Sequence, residues 1–253
     1  MHSATAEQTC SLIAAVAEIE YIRTYNLKLF TLKTLVALVQ QNRYFYVPFL
    51  LWLIIGGALL SLFTKDELFL TVNGAHHPVL DVLVTGTTYL GDGITFGVML
   101  LVLLLLRKWK LFFMGAGTLL IVTLIVQGIK HAVNEPRPIV YFGDTEICHM
   151  VQWVKVHGGL SFPSGHTSTA FGMFCFLALI WRNKKMGALM FILGLITAHS
   201  RLYLSQHFFA DVYVGSIIGT LVSSLIFWLF EYRRSQTTGQ TNAHDTIIAP
   251  QPA

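Results

Sequence analysis

Residues 200–211 read SRLYLSQHFFAD, and they join two long apolar runs: MGALMFILGLITAH before them and VYVGSIIGTLVSSLIFWLF after them. Ser200, Arg201, His207 and Asp211 therefore lie where one hydrophobic segment ends and the next begins. Ionisable groups at the edge of a membrane span are costly, and they face a cavity or a partner. His207 and Asp211 are four residues apart, which puts them on one face of a helix. The stretch predicts a short turn between two antiparallel spans, with a histidine and a carboxylate paired at the start of the second.

The rest of the chain supports that reading. Hydrophobic residues make up 54% of the 253 and charged residues 12%, well below the roughly 25% charged share of soluble domains. A span needs about 20 mostly apolar residues, and six segments approach that length: 45–63, 84–106, 111–129, 164–181, 186–204 and 208–230. The expected fold is all-α, a bundle of six transmembrane helices in one membrane domain over 45–230. Residues 1–44 would form a cytoplasmic segment, and the loose helical period over 12–40 suits an interfacial helix. The opening residues lack the basic start and uninterrupted apolar run of a signal peptide. The polar tail 231–253 is expected to be disordered. Three cysteines, at 10, 148 and 175, indicate neither a disulfide framework nor a cysteine zinc site.

Orientation follows from lysine and arginine placement. With six spans, twelve basic residues fall on the side of the termini and five on the other, namely Lys65, Lys130, Arg137, Lys155 and Arg201. Both termini are placed in the cytoplasm and SRLYLSQHFFAD at the outer face. A basic cytoplasmic rim facing anionic lipid accounts for the net charge of +4, so no nucleic-acid partner is implied, and no obligate protein partner is inferred.

The outer loop 130–163 begins with KHAVNEPRP and runs into FPSGH, so three polar clusters emerge at one depth. Lys130, Arg137 and Arg201 suit a polyanion: guanidinium groups pair with phosphate oxygens bidentately and lysine acts as a point charge. PSGH has the composition of a helix start, with Pro163 and Ser164 as turn and cap and Gly165 permitting close backbone approach to an oxyanion. Binding alone would not call for two histidines. His207, oriented by Asp211, has the arrangement of an activated nucleophile. His166 could protonate the leaving oxygen and then activate water. The cations would stabilise the transition state without a metal ion or other cofactor.

Together these segments resemble the type 2 phosphatidic acid phosphatase family, the membrane branch of the acid phosphatase and vanadium haloperoxidase superfamily. KHAVNEPRP matches the first family motif at Lys130, Arg137 and Pro138, PSGH the second at Pro163 to His166, and SRLYLSQHFFAD the third at Ser200, Arg201, His207 and Asp211. The resemblance covers roughly residues 80–230. It implies a six-helix bundle, a phosphohistidine at His207, an orienting Asp211, and general acid chemistry at His166. It also implies phosphate binding by Lys130, Arg137, Ser164, Gly165 and Arg201, with Pro163 and Ser200 supporting. The expected substrate is a membrane lipid phosphate in an inner membrane. Undecaprenyl diphosphate is the first candidate, ahead of phosphatidylglycerophosphate, phosphatidate and lipid A phosphates.

Other residues take plainer readings. His131, His149, His157 and His199 fit no motif position and read as structural or solvated, and His76 and His77 lack metal-ligand spacing. Asp81 and Asp92 either line the substrate vestibule or pack through hydrogen bonds. Glu135 could touch a headgroup. Lys130 and Arg137 could also be interfacial anchors. A transporter would place its charged site near the bilayer midplane between repeats, whereas these clusters fall at span ends. A haloperoxidase fits poorly with six apolar spans.

Overall fold

The computed structural model describes residues 33, 35–143 and 147–248, with side chains described up to residue 231. It divides into two compact units, 1–41 and 42–253. The interfacial helix expected over 12–40 falls largely outside the described residues. The second unit holds helices α1 (Arg43–Leu62), α2 (Lys65–Asn73), α3 (Pro78–Thr88), α4 (Gly93–Leu105), α5 (Trp109–Val133), α6 (Pro138–Phe142), α7 (Gly165–Ile180), α8 (Met186–Tyr203) and α9 (Phe209–Ile248). No strand occurs among the described residues.

Four stretches are long and apolar enough to cross a membrane: Arg43–Leu62, Trp109–Phe142, Met186–Tyr203 and Phe209–Glu231. The expected six spans are therefore not all met. The second is a bent pair, Pro78–Gly91 and Gly93–Leu105, with 53° between its halves. A 3₁₀ turn at Tyr89–Gly91 ends the first half, and the Asp92 side chain caps the second by accepting the Ile94 N–H at 3.0 Å. The fourth expected span, α7, has only 16 residues, which at about 1.5 Å per residue falls short of a hydrocarbon core of roughly 30 Å. It starts inside the polar cluster, at Ser164. At the far end, α9 continues as helical backbone to Ile248, where the sequence suggested a disordered tail from 231. Extending a formed helix adds one hydrogen bond per residue fixed, so a polar stretch without proline can follow a long apolar one.

Helix α7 is apolar all round and is buried as such helices are; Ala170, Phe171, Cys175 and Phe176 have 1% exposure or less. Around it the outer helices present apolar side chains outward, among them Ile54, Val82, Leu105 and Leu124. This is the distribution expected when the solvent is lipid. Helix α9 crosses α7 at small residues: a Cβ on Gly219 would collide with the Ser168 carbonyl oxygen, and one on Gly215 would lie 2.8 Å from that of Ser164. Such small-residue spacing lets helix backbones touch within a membrane. Beneath this contact Met114, Val122 and Val126 of α5 pack with Phe176 of α7 and Val222 and Ile226 of α9. The close approach fixes the start of α7 against the first turns of α9, and both starts hold polar clusters singled out in the sequence.

Candidate active site

Each polar cluster is positioned by how its helix ends. Helix α5 stops at Asn134, whose left-handed conformation (φ 48°, ψ 43°) caps it through a bond from its N–H to the Lys130 carbonyl at 2.9 Å. Pro136 and Pro138 then keep the chain extended, with Arg137 just before α6. This strip pairs with the later part of the loop. The Arg137 N–H donates to the Gly158 carbonyl at 2.9 Å, and the Ser161 N–H to the Glu135 carbonyl at 2.8 Å. The first and second sequence clusters are thereby clamped side by side. Lys130 Nζ donates to the carbonyls of Leu160 and Ser161, and Arg137 Nε to that of Gly159 at 3.0 Å.

Ser164 caps α7, its hydroxyl accepting from the Thr167 N–H at 3.4 Å and the Thr167 hydroxyl at 2.9 Å. Its own N–H donates to the Asp211 carbonyl at 3.0 Å, tying the second cluster to the third. Gly91 approaches from the bend between α3 and α4, where a Cβ would fall 2.5 Å from the His166 carbonyl oxygen. Alanine there would displace the His166 backbone. Gly165 differs, because a Cβ there would meet nothing of the protein closer than 3.8 Å.

The third cluster folds back on itself. Helix α8 ends at Tyr203, Ser205 takes a left-handed conformation (φ 54°), and the N–H groups of Gln206 and His207 both reach the Arg201 carbonyl, at 3.0 and 3.2 Å. His207 Nδ1 then lies 3.2 Å from Asp211 Oδ2, the two side chains 2% and 1% exposed. The same carboxylate oxygen accepts the Phe208 N–H at 3.0 Å and the Ser161 hydroxyl at 2.5 Å. With its Nδ1 turned to the carboxylate, the His207 ring has Nε2 left for other chemistry. Burial first, and then the positive charges of Arg201, Arg137, Lys130 and His166, hold the imidazole well below its ordinary pKa. That direction favours the neutral form of the ring. Phe208 is fully buried between Phe69 and Tyr141, with Lys65 Nζ 3.8 Å over its ring.

Arg201 is 6% exposed. One guanidinium nitrogen donates to the Thr88 hydroxyl at 2.5 Å, while the buried Nε has no hydrogen-bond partner among the described residues. An unpaired donor on a buried cation is expensive and calls for an anion. A cleft of about 470 Å³ lies here, lined by Arg137, Arg201, His166, Lys155, His157 and Trp153 among others.

The structure thus gathers Lys130, Arg137, Ser164, Gly165, His166, Arg201, His207 and Asp211 at one end of the bundle, with Pro163 in the same turn. Ser200 is set apart, its hydroxyl bonding back to the Thr197 carbonyl at 2.7 Å. Three contributors are not motif positions, although Gln206 lies within the SRLYLSQHFFAD stretch. Ser161 bridges to Asp211, Gln206 accepts from Arg137 Nη1 at 2.6 Å, and Thr88 holds Arg201. Position gave a signal for two of them, Ser161 two residues before PSGH and Gln206 directly before His207, and none for Thr88. Asp81 proves a packing residue, accepting from the Tyr203 hydroxyl at 2.6 Å and bonded to His149 Nε2 at 2.9 Å. Glu135 pairs with Lys65. Among the described residues no group of three or more metal-ligating side chains could hold a metal ion.

A helical membrane bundle that draws cations and two imidazoles together at one set of helix ends is the architecture of an integral-membrane enzyme acting on phosphorylated substrates. The sequence profile of the PAP2 superfamily matches residues 108–235, and the chain belongs to that family. It is 28% identical over 200 residues to a lipid A 4′-phosphatase of Porphyromonas gingivalis, covering 73% of this chain and 80% of that protein. It is 29% identical over 175 residues to the undecaprenyl-diphosphatase BcrC of Bacillus subtilis, covering 65% and 82%. The crystal structure of Aquifex aeolicus LpxE superposes with a TM-score of 0.58 at 30% identity, covering 66% of this chain and 98% of that one. A Bacillus subtilis PAP2-type phosphatidylglycerolphosphate phosphatase shares the fold, with a TM-score of 0.53 at 24% identity over 75% and 97%. The protein is a membrane phosphatase of the phosphoric ester hydrolase class.

Proposed function

We propose that the protein hydrolyses a phosphate or diphosphate ester of a membrane lipid at the outer face of the cell's inner membrane, through a phosphohistidine at His207. The observation that carries this reading is the buried Arg201 Nε without a partner among the described residues, held by the same turn that pairs His207 with Asp211. In the first step His207 Nε2 attacks phosphorus, the bond from phosphorus to the lipid oxygen breaks, and that oxygen takes a proton from His166. Asp211, accepting from Nδ1–H, stabilises the ring as it becomes cationic. In the second step water, giving a proton to His166, attacks phosphorus. The phosphorus–nitrogen bond breaks, its electrons return to the ring, and inorganic phosphate leaves. Arg201, Arg137 and Lys130 meet the charge on the equatorial oxygens, the role metal ions play in other phosphoryl-transfer sites. Lys130 and Arg137 exchange their carbonyl partners for phosphate oxygens.

Undecaprenyl diphosphate remains the first substrate, and similarity to lipid A 4′-phosphatases favours a lipid A phosphate as the second reading. Twelve basic residues on the side of the termini against five on the other support cytoplasmic termini and a periplasmic site. Cys148 is 3% exposed and so does not serve as an orientation probe; exposed Gln152 does, as Gln152→Cys in a cysteine-free background. The deciding experiment assays purified protein against both lipids with EDTA present. Phosphate release from either supports the reading. Activity that EDTA abolishes and Mg²⁺ restores contradicts the metal-free mechanism, and release from neither lipid contradicts the assignment.

A further inference from the structure

Resting on that reading, the structure points to a second anion site at the mouth of the same cleft. Lys155 and His157 are exposed, belong to the loop between α6 and α7, and line the cleft whose inner wall is His166, Arg201 and Arg137. At about 470 Å³ the cleft lies within the ~300–1,000 Å³ of small-molecule sites and has room for more than one phosphate. A second cleft of about 420 Å³, on Lys130 and Gly158–Leu160, shares Arg137 and His157 as its wall. No acidic residue lines either cleft among the described residues. The loop is anchored, not trailing: Gln206 Nε2 donates to the Lys155 carbonyl at 3.1 Å while Gln206 Oε1 accepts from Arg137. One side chain thus ties the Lys155 backbone to the inner Arg137. The field at the mouth is positive, since desolvation and then the charges of Arg137, Lys155 and Arg201 push the His157 ring below its ordinary pKa. From the sequence alone His157 reads as structural or solvated.

We propose that Lys155 and His157 bind a second phosphate, making the cleft a site for diphosphate esters. The terminal phosphorus sits at His207 and the inner phosphate between Lys155 and His157. When the His207 Nε2–phosphorus bond forms, the bond from the terminal phosphorus to the bridging oxygen breaks. The electron pair goes to that oxygen, which takes the proton of His166, and the lipid monophosphate leaves against the Lys155 ammonium and the His157 ring N–H. These residues raise the advantage of diphosphate over monophosphate by a charge-assisted contact that a monophosphate cannot make.

The test uses purified full-length protein in detergent, with methylenediphosphonate and orthophosphate as calorimetric probes. Wild type is expected to bind the diphosphonate about tenfold or more tightly than orthophosphate, and Lys155→Met with His157→Gln to erase that preference. In turnover, the ratio of kcat/KM for undecaprenyl diphosphate to that for undecaprenyl phosphate falls by the same factor in the double variant. Equal affinities in wild type, a preference that survives the double substitution, or no binding of either probe each overturns the assignment. Absent lipid turnover with the binding preference intact sinks the hydrolase reading and leaves the second anion site standing.

Discussion

Two histidine–carboxylate pairs stand near each other at one end of this bundle, alike in chemistry and opposite in setting. His149 Nε2 lies 2.9 Å from Asp81 Oδ1 and His207 Nδ1 3.2 Å from Asp211 Oδ2, so distance does not separate them. Surroundings do. The His149 pair is 17% and 13% exposed, its carboxylate also holds the Tyr203 hydroxyl, and the His76 ring stacks on His149 with centroids 4.0 Å apart. The His207 pair is almost fully buried among Arg201, Arg137 and Lys130, beside an arginine nitrogen without a partner among the described residues. The first pair fastens a loop, while the second is the one proposed to meet an anion. The cations around the second imidazole are what set the two pairs apart.

The two pairs separate most sharply under substitution. His207→Ala should lower kcat/KM by about 10⁴-fold or more while the protein still inserts and unfolds cooperatively; retained turnover removes the nucleophile. Arg201→Lys should cost about 100-fold, because a point charge cannot reproduce the guanidinium's directed donors; an unchanged rate would show that its orphaned nitrogen faces no phosphate.

Protonation offers a gentler probe. The folded pKa of His207 lies below its ordinary value of 6.5, so below pH 6.5 the unfolded chain binds the proton that the folded one resists. Stability contributed by neutral His207 is present above pH 6.5 and falls as pH drops below it, by up to about 1.4 kcal/mol per pH unit. Denaturant unfolding of wild type and His207→Gln should show a stability difference that is flat above pH 6.5 and turns against wild type below it. A flat difference throughout contradicts the buried neutral ring. Ser161→Ala removes a donor to Asp211 and should lower kcat/KM about tenfold. The smallest effect on turnover belongs to the other pair: His149→Ala should cost less than about threefold in rate yet about 1–2 kcal/mol in stability, read by the same unfolding experiment.

What could be read from the sequence divides along similar lines. Apolar run lengths located the long helices but not Lys65–Asn73 or the start at Pro78, and the clusters at their ends marked Lys130, Arg137, His166, Arg201, His207 and Asp211, because ionisable residues stand out in apolar surroundings. Hidden from sequence were contacts made by ordinary polar residues across the fold. Thr88 meets Arg201 across 113 positions and Ser161 meets Asp211 across 50, and neither separation leaves a periodic trace. The bend at Asp92 was hidden as well, since the apolar run passes through it and only the approach of Gly91 to the His166 carbonyl gives it a purpose. Helix α7 starts inside the cluster, at Ser164.

Hydrolysis by this route requires His207 to carry the phosphoryl group during turnover. Rapid alkaline quenching of the enzyme reacting with its lipid phosphate, followed by peptide mass spectrometry, tests this directly. One phosphate is expected on the peptide containing His207, absent from His207→Ala and present in His149→Ala. Steady turnover without a phosphorylated His207 peptide, or with the phosphate on another residue, would contradict it.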